Sequence, residues 1–150
     1  MRALAFTSFL AIATLALPAT AEDGMIFKTA STDVAETVEA FTDILAKKGA
    51  TVFAVIEHHN GAASVDLEMP SNTVVIFGNP RMGTPLMQAS PTMGLDLPLR
   101  VVFYEDEDGK TQIVYHDLDM IAKGHGVPDD HPALVKAKNA IRNLTDAVAK

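Results

Sequence analysis

Cysteine is absent from this chain of 150 residues, and acidic residues outnumber basic ones. Without cysteine there is no disulfide framework, no thiolate-ligated zinc or iron–sulfur centre, no cysteine nucleophile and no lipid attached through cysteine. The formal charge of −7 argues against nucleic acid as a partner, because proteins bind nucleic acid mainly by neutralising its phosphates with cations. What is present is 48% apolar residues, too many for a disordered chain, in a length that suits one ordinary domain.

The N-terminus has the pattern of a secretory signal peptide. Arg2 precedes a mostly apolar run over residues 3–17, and Pro18–Ala21 provides a small-x-small cleavage site. An N-terminal anchor helix is the weaker alternative, because a membrane span takes about 20 apolar residues. The pattern therefore predicts a signal peptide over residues 1–21 and a mature domain over residues 22–150. We expect that domain to be soluble, periplasmic or secreted, and free of the membrane after cleavage.

Two segments have the spacing of amphipathic helices. The first follows Asp33, which has Glu36 at capping-box distance, and Gly49 stands just beyond its end. The second begins at Pro132, a residue favoured in the first turn of a helix. Apolar residues recur at intervals of three and four in both segments, so that each helix has one apolar face. This face consists of Val34, Val38, Phe41 and Leu45 in the first helix and of Leu134, Ala137, Ile141, Leu144 and Val148 in the second.

Five segments are rich in β-branched and aromatic residues and are predicted to be strands: Met25–Thr29, Thr51–His58, Thr73–Phe77, Leu97–Glu105 and Thr111–His116. Strict alternation in the second strand puts Val52 and Val55 on opposite faces. Asp108–Gly109 between the last two strands predicts a hairpin turn. The aperiodic stretch rich in Met, Pro and Gly after the third strand is predicted to contain one short helix over residues 84–89.

The order of these elements predicts a two-layer α+β domain. Because each helix has a single apolar face, both must lie on a sheet, most simply on one face of a mostly antiparallel sheet. The other face, with Val102, Tyr104 and Val55 or their neighbours, then meets water, a ligand or a second subunit. We therefore expect that face to be an interaction surface.

Two blocks of sequence resemble the bacterial domain of unknown function 302 family: FGNPRMGTPLM over residues 77–87 and DLPLRV over residues 96–101. The resemblance extends from about Met25 to about Asn143, and Gly109 fits the closing hairpin of the family. It implies a TBP-like fold in the order β-α-β(4)-α, commonly seen as a dimer, but it implies no activity. Two positions depart from the family pattern: Glu57 stands in place of Asp, and Pro85 interrupts a helical segment.

Polar side chains within apolar strands are the first candidate site. If they are buried, Glu57 and Arg100 each need a polar partner. Two arrangements would provide one: an ion pair that fixes the strand register, or a pocket for an anionic or carbonyl-bearing ligand. His58 and His59 are neighbours in a predicted strand, so they are expected to point to opposite faces. The candidate ligand-binding residues are Glu57, His58, Arg100, Tyr104, Asn79, Arg81 and Thr84.

Metal binding is a second possibility from residue types alone. The C-terminal third contains His116, His125 and His131 among aspartates, but their spacing matches no compact zinc or copper signature. Three methionines form either a soft patch for an apolar ligand or Cu(I), or core filling under an irregular loop: Met82, Met87 and Met93.

Three functions follow in order of preference. The first is an exported, non-enzymatic, homodimeric module that binds a small molecule or a protein partner, since the chain contains no recognisable catalytic motif and no cofactor is predicted. The alternative is a periplasmic copper or zinc protein. The third is an enzyme that uses Glu57 and His58 as acid and base with Arg100 as an anion clamp, which requires the three side chains to converge.

Overall fold

The computed structural model describes residues 21–22 and 24–149. The strands form one antiparallel sheet: β1 Ala21–Glu22, β2 Met25–Ala30, β3 Thr51–Glu57, β4 Asn72–Gly78, β5 Leu99–Glu105 and β6 Thr111–His116. Its spatial order is β1-β2-β6-β5-β4-β3. The helices are α1 Val34–Lys47, α2 His58–Ala63, α3 Pro80–Ala89, α4 Leu118–Gly124 and α5 Pro132–Asp146, with a 3₁₀ helix over Pro91–Leu95. Residues 1–20 of the predicted signal peptide lie outside the described residues.

The two long helices begin where the sequence predicts. Asp33 caps α1, and its Oδ1 accepts a hydrogen bond of 2.8 Å from the backbone N–H of Glu36. Gly49 follows α1 in the left-handed region at φ +70°, which a residue with a Cβ adopts at a cost. At the start of α5, His131 Nδ1 accepts from the backbone N–H of Ala133 at 3.3 Å, and Pro132 occupies the first turn.

The core lies between the sheet and these two helices. Phe41 of α1 packs with its ring centroid 5.4 Å from Phe77 of β4 and 5.1 Å from Phe103 of β5. Leu134 and Ile141 of α5 belong to the same buried cluster. Because α1 and α5 also contact each other, both lie on one face of the sheet, and the predicted two-layer α+β fold is confirmed.

The cationic side chain of Lys28 lies on the helix-covered face of the sheet. The side chain of Lys28 on β2 is only 10% exposed, and its Nζ donates to three acceptors on α5. These are the backbone oxygen of Arg142 at 3.1 Å, Thr145 Oγ1 at 2.6 Å and Asp146 Oδ1 at 2.6 Å. The same Nζ lies 5.7 Å from the centre of the Tyr115 ring. The contacts of Lys28 therefore connect β2 to the end of α5.

Strand β3 departs from the predicted alternation. Val52 pairs with Phe77 and Ala54 pairs with Ile76, so Phe53 forms a bulge in the ladder. A bulge reverses the alternation beyond it, and Val55 therefore lies on the same, helix-covered face as Val52. The prediction that they lie on opposite faces is wrong, because nothing local in the sequence marks the extra residue.

The ends of two other elements also differ from the sequence-based expectation. His58 is the first residue of α2 rather than the last of β3, so the opposite-face argument for His58 and His59 does not hold. Helix α3 begins at Pro80, four residues before the predicted start. Asn79 explains this earlier start, because its Oδ1 accepts from the backbone N–H of Arg81 at 2.9 Å and caps the helix.

The uncovered face of the sheet carries a line of apolar side chains that crosses five strands. Directly opposed residues share a face, and the register joins each member to the next. In spatial order the line, which we call the apolar stripe, consists of Phe27, Val114, Val102, Val74 and Ile56. Phe27, Val102 and Val114 are half-buried and Ile56 is 42% exposed.

Candidate functional site

A large apolar groove lies at the end of the sheet where β4 finishes and β5 begins. Its volume is about 870 Å³, within the range of small-molecule sites. Three helices bound it, since α3 and α1 both contact α5. The groove therefore lies on the covered side of the sheet, beside the main core.

Apolar and small side chains form most of the groove wall. Helix α5 contributes Ala137 and Ala140 with Ile141 and Leu144, and α3 contributes two methionines and Leu86. Phe77, Leu86 and Ile141 are buried within this wall, whereas Phe53 is 58% exposed and Met87 is 37% exposed. The complete apolar part of the lining is Ile44, Ala50, Phe53, Phe77, Gly78, Pro80, Met82, Gly83, Leu86, Met87, Leu97, Pro98, Leu99, Ala137, Ala140, Ile141, Leu144 and Ala147.

Few polar side chains join this lining: Lys48, Asn79, Thr84 and Asn143. Asn79 is already engaged, because its Nδ2 donates to the backbone oxygen of Gly49 at 3.2 Å while its Oδ1 caps α3. This bond ties the beginning of α3 to the residue after Lys48. An apolar wall with a small number of polar groups is the composition of a site for a largely apolar ligand.

The structure divides the candidate ligand-binding residues among separate places. Asn79 and Thr84 line the groove. Arg81, on the same helix, lines a second and smaller cavity of about 320 Å³ together with His131 and Lys136. Tyr104 lies on the uncovered face of the sheet, directly opposite Asn72. The sequence-based set therefore does not form one site.

The three side chains of the predicted acid–base set do not converge. Glu57 pairs in register with Thr73, and its Oε2 accepts from Asn60 Nδ2 at 2.8 Å. Arg100 pairs with Ile76, three residues further along β4, so it lies on the other face of the sheet. His58 is exposed at the start of α2. This arrangement cannot act as a single acid, base and anion clamp.

A second polar cluster surrounds His125 after α4. His125 Nε2 lies 2.7 Å from Asp96 Oδ2, and His125 Nδ1 lies 2.8 Å from Thr92 Oγ1. The other carboxylate oxygen of Asp96 lies 3.6 Å from the Arg100 guanidinium. The side chain of His125 is 12% exposed and that of Arg100 is 50% exposed. These contacts link the helical layer to the uncovered face, and they pair Arg100 with Asp96 rather than Glu57.

The three histidines considered as metal ligands have separate surroundings. His116 is exposed at the end of β6, His125 bonds to Thr92 and Asp96, and His131 caps α5. In the part of the chain that the structure describes, no three His, Asp or Glu side chains come close enough to hold one ion.

Several residues of the groove were not predicted as binding residues from the sequence. Ile44 lies in the last turn of α1, Lys48 caps the end of that helix, and Ala140 lies on α5. The available signal was the small size of the alanines along α5, which leaves space beside a helix. Their position next to α3 depends on packing that no local pattern reveals.

Residues 26–150 match the model of the family described as domain of unknown function DUF302. The chain belongs to this family. The family predicted from the sequence is thereby confirmed, and a solved structure agrees with it. An uncharacterized conserved DUF302 protein from Bacillus stearothermophilus superimposes with a TM-score of 0.69, at 19% identity, over 85% of this chain and 97% of the other. At that identity the likeness concerns the fold.

Curated relatives of this DUF302 chain are longer proteins. A Brucella suis protein named fluoride-specific ion channel FluC 1 is 34% identical over 116 residues, which cover 77% of this chain and 46% of that protein. The Brucella abortus protein of the same name is 34% identical, with 43% of its length covered. The chain thus spans less than half the length of these relatives. Within the described residues, none of the helices combines the length and apolarity required to cross a membrane.

Proposed function

We propose that this chain is a non-enzymatic binding protein that holds a small, largely apolar molecule in the groove between α1, α3 and α5. The observation that carries the proposal is the groove itself, with its volume of about 870 Å³ and its apolar wall. A pocket of that size can enclose most of the surface of a drug-sized molecule. Transfer of apolar ligand surface out of water then contributes about 25 cal/mol per Å² toward binding.

Filling the groove tests this function. Ala140 is half-buried on α5 and lines the groove, so Ala140→Phe places a ring where the ligand would lie. Titration with the neutral fluorescent probe N-phenyl-1-naphthylamine should show saturable binding to the unchanged protein. The variant should bind the probe at least tenfold more weakly while it keeps its circular dichroism spectrum and a cooperative melting transition.

Ala35→Phe is the matched control, because Ala35 is exposed on α1 and does not line the groove. It should bind the probe like the unchanged protein. If a folded Ala140→Phe protein binds the probe as tightly as this control, the proposal is wrong.

We propose further that a second copy of the chain covers the apolar stripe. An isologous dimer needs a self-complementary patch, and a two-fold axis along the stripe sets each stripe on its counterpart. The same axis sets Arg100 of one copy, two residues before Val102, over Tyr104 of the other copy, two residues beyond it. The overlap of apolar side chains along the two stripes supports a second copy as the occupant.

Light scattering after size-exclusion chromatography tests the dimer. The unchanged protein should have twice the mass of one chain at tens of micromolar, and Val102→Lys should be monomeric, because it places a charge within the stripe. Ala35→Lys adds the same charge at an exposed residue of α1, on the opposite side of the sheet, so it should remain dimeric. A monomeric unchanged protein would exclude this second proposal.

Export of the domain is also part of the proposal, supported by the charged start, apolar run and small-residue site before Glu22. Protein recovered from the cells that make it should begin at Glu22 on N-terminal sequencing. Recovery from the cytoplasm with Met1 or Arg2 at its start would contradict export and leave the groove proposal intact.

A further inference from the structure

The groove contains one charged side chain among its lining residues, and that charge is positive. Lys48, the residue that caps the end of α1, contributes to a wall in which the other polar members are two amides and a hydroxyl. The chain as a whole has a formal charge of −7, so a lone cation at an apolar groove is not a consequence of composition.

Lys48 is an exposed residue at the groove and is therefore accessible to a ligand. Within the described residues, no carboxylate lies within ion-pair distance of Lys48, whereas Lys28 and Lys138 each pair with an aspartate. The position of Lys48 is nevertheless held from both sides. Its backbone N–H donates to the carbonyls of Ile44 and Leu45. Asn79 binds the carbonyl of the next residue.

We infer that the ligand of this groove is an apolar molecule with a single carboxylate, and that Lys48 binds this carboxylate. The inference rests on the proposed ligand-binding function and adds the chemical class of the ligand. The apolar body lies along the alanines of α5 and the methionines of α3. Asn143, which also lines the groove, is a further hydrogen-bond donor for the same head group.

A monoanion fits this lining better than the other charge types. A cationic head group would face Lys48 with no carboxylate in the groove lining to compensate it. A doubly charged phosphate is ordinarily bound by several cations or a cluster of backbone N–H groups, and this groove supplies one cation. A neutral head group would make no ionic contact with Lys48.

Three probes with the same alkyl chain distinguish an anionic, a neutral and a cationic head group: decanoate, decanol and decyltrimethylammonium. Their dissociation constants can be measured by displacement of N-phenyl-1-naphthylamine. On the unchanged protein decanoate should bind three- to tenfold more tightly than decanol, the size expected of one charge-assisted contact at a partly exposed site. Decyltrimethylammonium should bind most weakly.

Lys48→Met keeps a long side chain and removes the charge, so it should abolish the preference for decanoate over decanol. Lys47→Met is the matched control, because Lys47 is the adjacent residue of α1 and does not line the groove. It should keep the preference. Equal binding of decanoate and decanol to the unchanged protein, or a preference that persists in Lys48→Met, overturns the inference while the groove remains a binding site. Absence of binding by all three probes overturns the proposed function as well.

Discussion

Both faces of the sheet carry apolar side chains, but the two faces present them differently. On the covered face α1 and α5 bury residues such as Phe103 and Val75 completely, and the helices leave a concave groove at one end. On the uncovered face the apolar stripe remains half-exposed along most of its length. A concave apolar surface encloses a small molecule, whereas an extended line of side chains suits another protein surface. The difference arises from the helices, not from the composition of the strands.

The largest expected effect compares neighbouring residues that point to opposite faces. Phe103 is fully buried against Phe41, so Phe103→Ala should lower the free energy of unfolding by about 3–5 kcal/mol. Val102 lies in the apolar stripe, and Val102→Ala should cost about 1 kcal/mol or less in the monomer. Urea denaturation of both variants, at protein concentrations low enough for the chain to be monomeric, measures the contrast. Equal losses would mean that the uncovered face is buried within the monomer.

Removal of the buried cation should give the next largest effect. Lys28→Met removes three hydrogen bonds from a mostly buried ammonium group to α5, for a loss of about 1–3 kcal/mol. The control is Lys110→Met at the hairpin, where the side chain is 62% exposed and lies 3.8 Å from Asp108. That substitution should change stability by less than about 0.5 kcal/mol. Chemical denaturation at neutral pH compares the two, and a control as costly as Lys28→Met would contradict the role given to Lys28.

The cluster at His125 tests the link between the helical layer and the uncovered face. His125→Ala removes the contacts to Asp96 and Thr92, and we expect a loss of about 1–2 kcal/mol. Arg100→Met breaks only the longer, half-exposed pair with Asp96, so it should cost less than about 0.5 kcal/mol. Thermal melting of both variants measures the order of the two effects. A larger loss of stability for Arg100→Met than for His125→Ala would show that the pair between Arg100 and Asp96 contributes more to stability than the contacts of His125.

The smallest effect concerns Asp106 in the hairpin, away from both faces. The backbone N–H of Lys110 and the Gln112 side chain donate to this carboxylate and hold its pKa below the usual range of Asp. Because the pKa is lower in the folded state, Asp106 stabilises the fold above the unfolded-state pKa, and this contribution is lost as the pH falls through the folded-state pKa.

Asp106→Asn should therefore be slightly less stable than the unchanged protein at neutral pH, and the difference should narrow below about pH 4. Denaturation midpoints measured across that range provide the test. Glu107→Gln is the control at the same turn, since within the described residues its side chain makes no hydrogen bond. A difference independent of pH would contradict the role of the carboxylate.

The sequence predicted much of the fold and little of the candidate site. Helix caps such as Asp33 and the hairpin at Gly109 depend on contacts within a few residues, which a local pattern reveals. Of the candidate binding residues, Asn79 and Thr84 line the groove, and Arg100 instead pairs with Asp96. No pattern indicated that Lys48 and Ala140, which are far apart along the chain, would face the same space.

The sequence by itself determined the order of five strands and the two long helices, the apolar face of each of these helices and the family. The order and the apolar faces follow from the side-chain periods of helix and strand and from caps and turns, all of which are local, whereas the family follows from the resemblance carried by residues 77–87 and 96–101. Only the tertiary structure decided the bulge at Phe53, the partner of Lys28 and the groove between α1, α3 and α5. Each of these depends on how distant segments pack, because a cavity or a long-range ion pair is defined by the distance between elements and by the volume left between them.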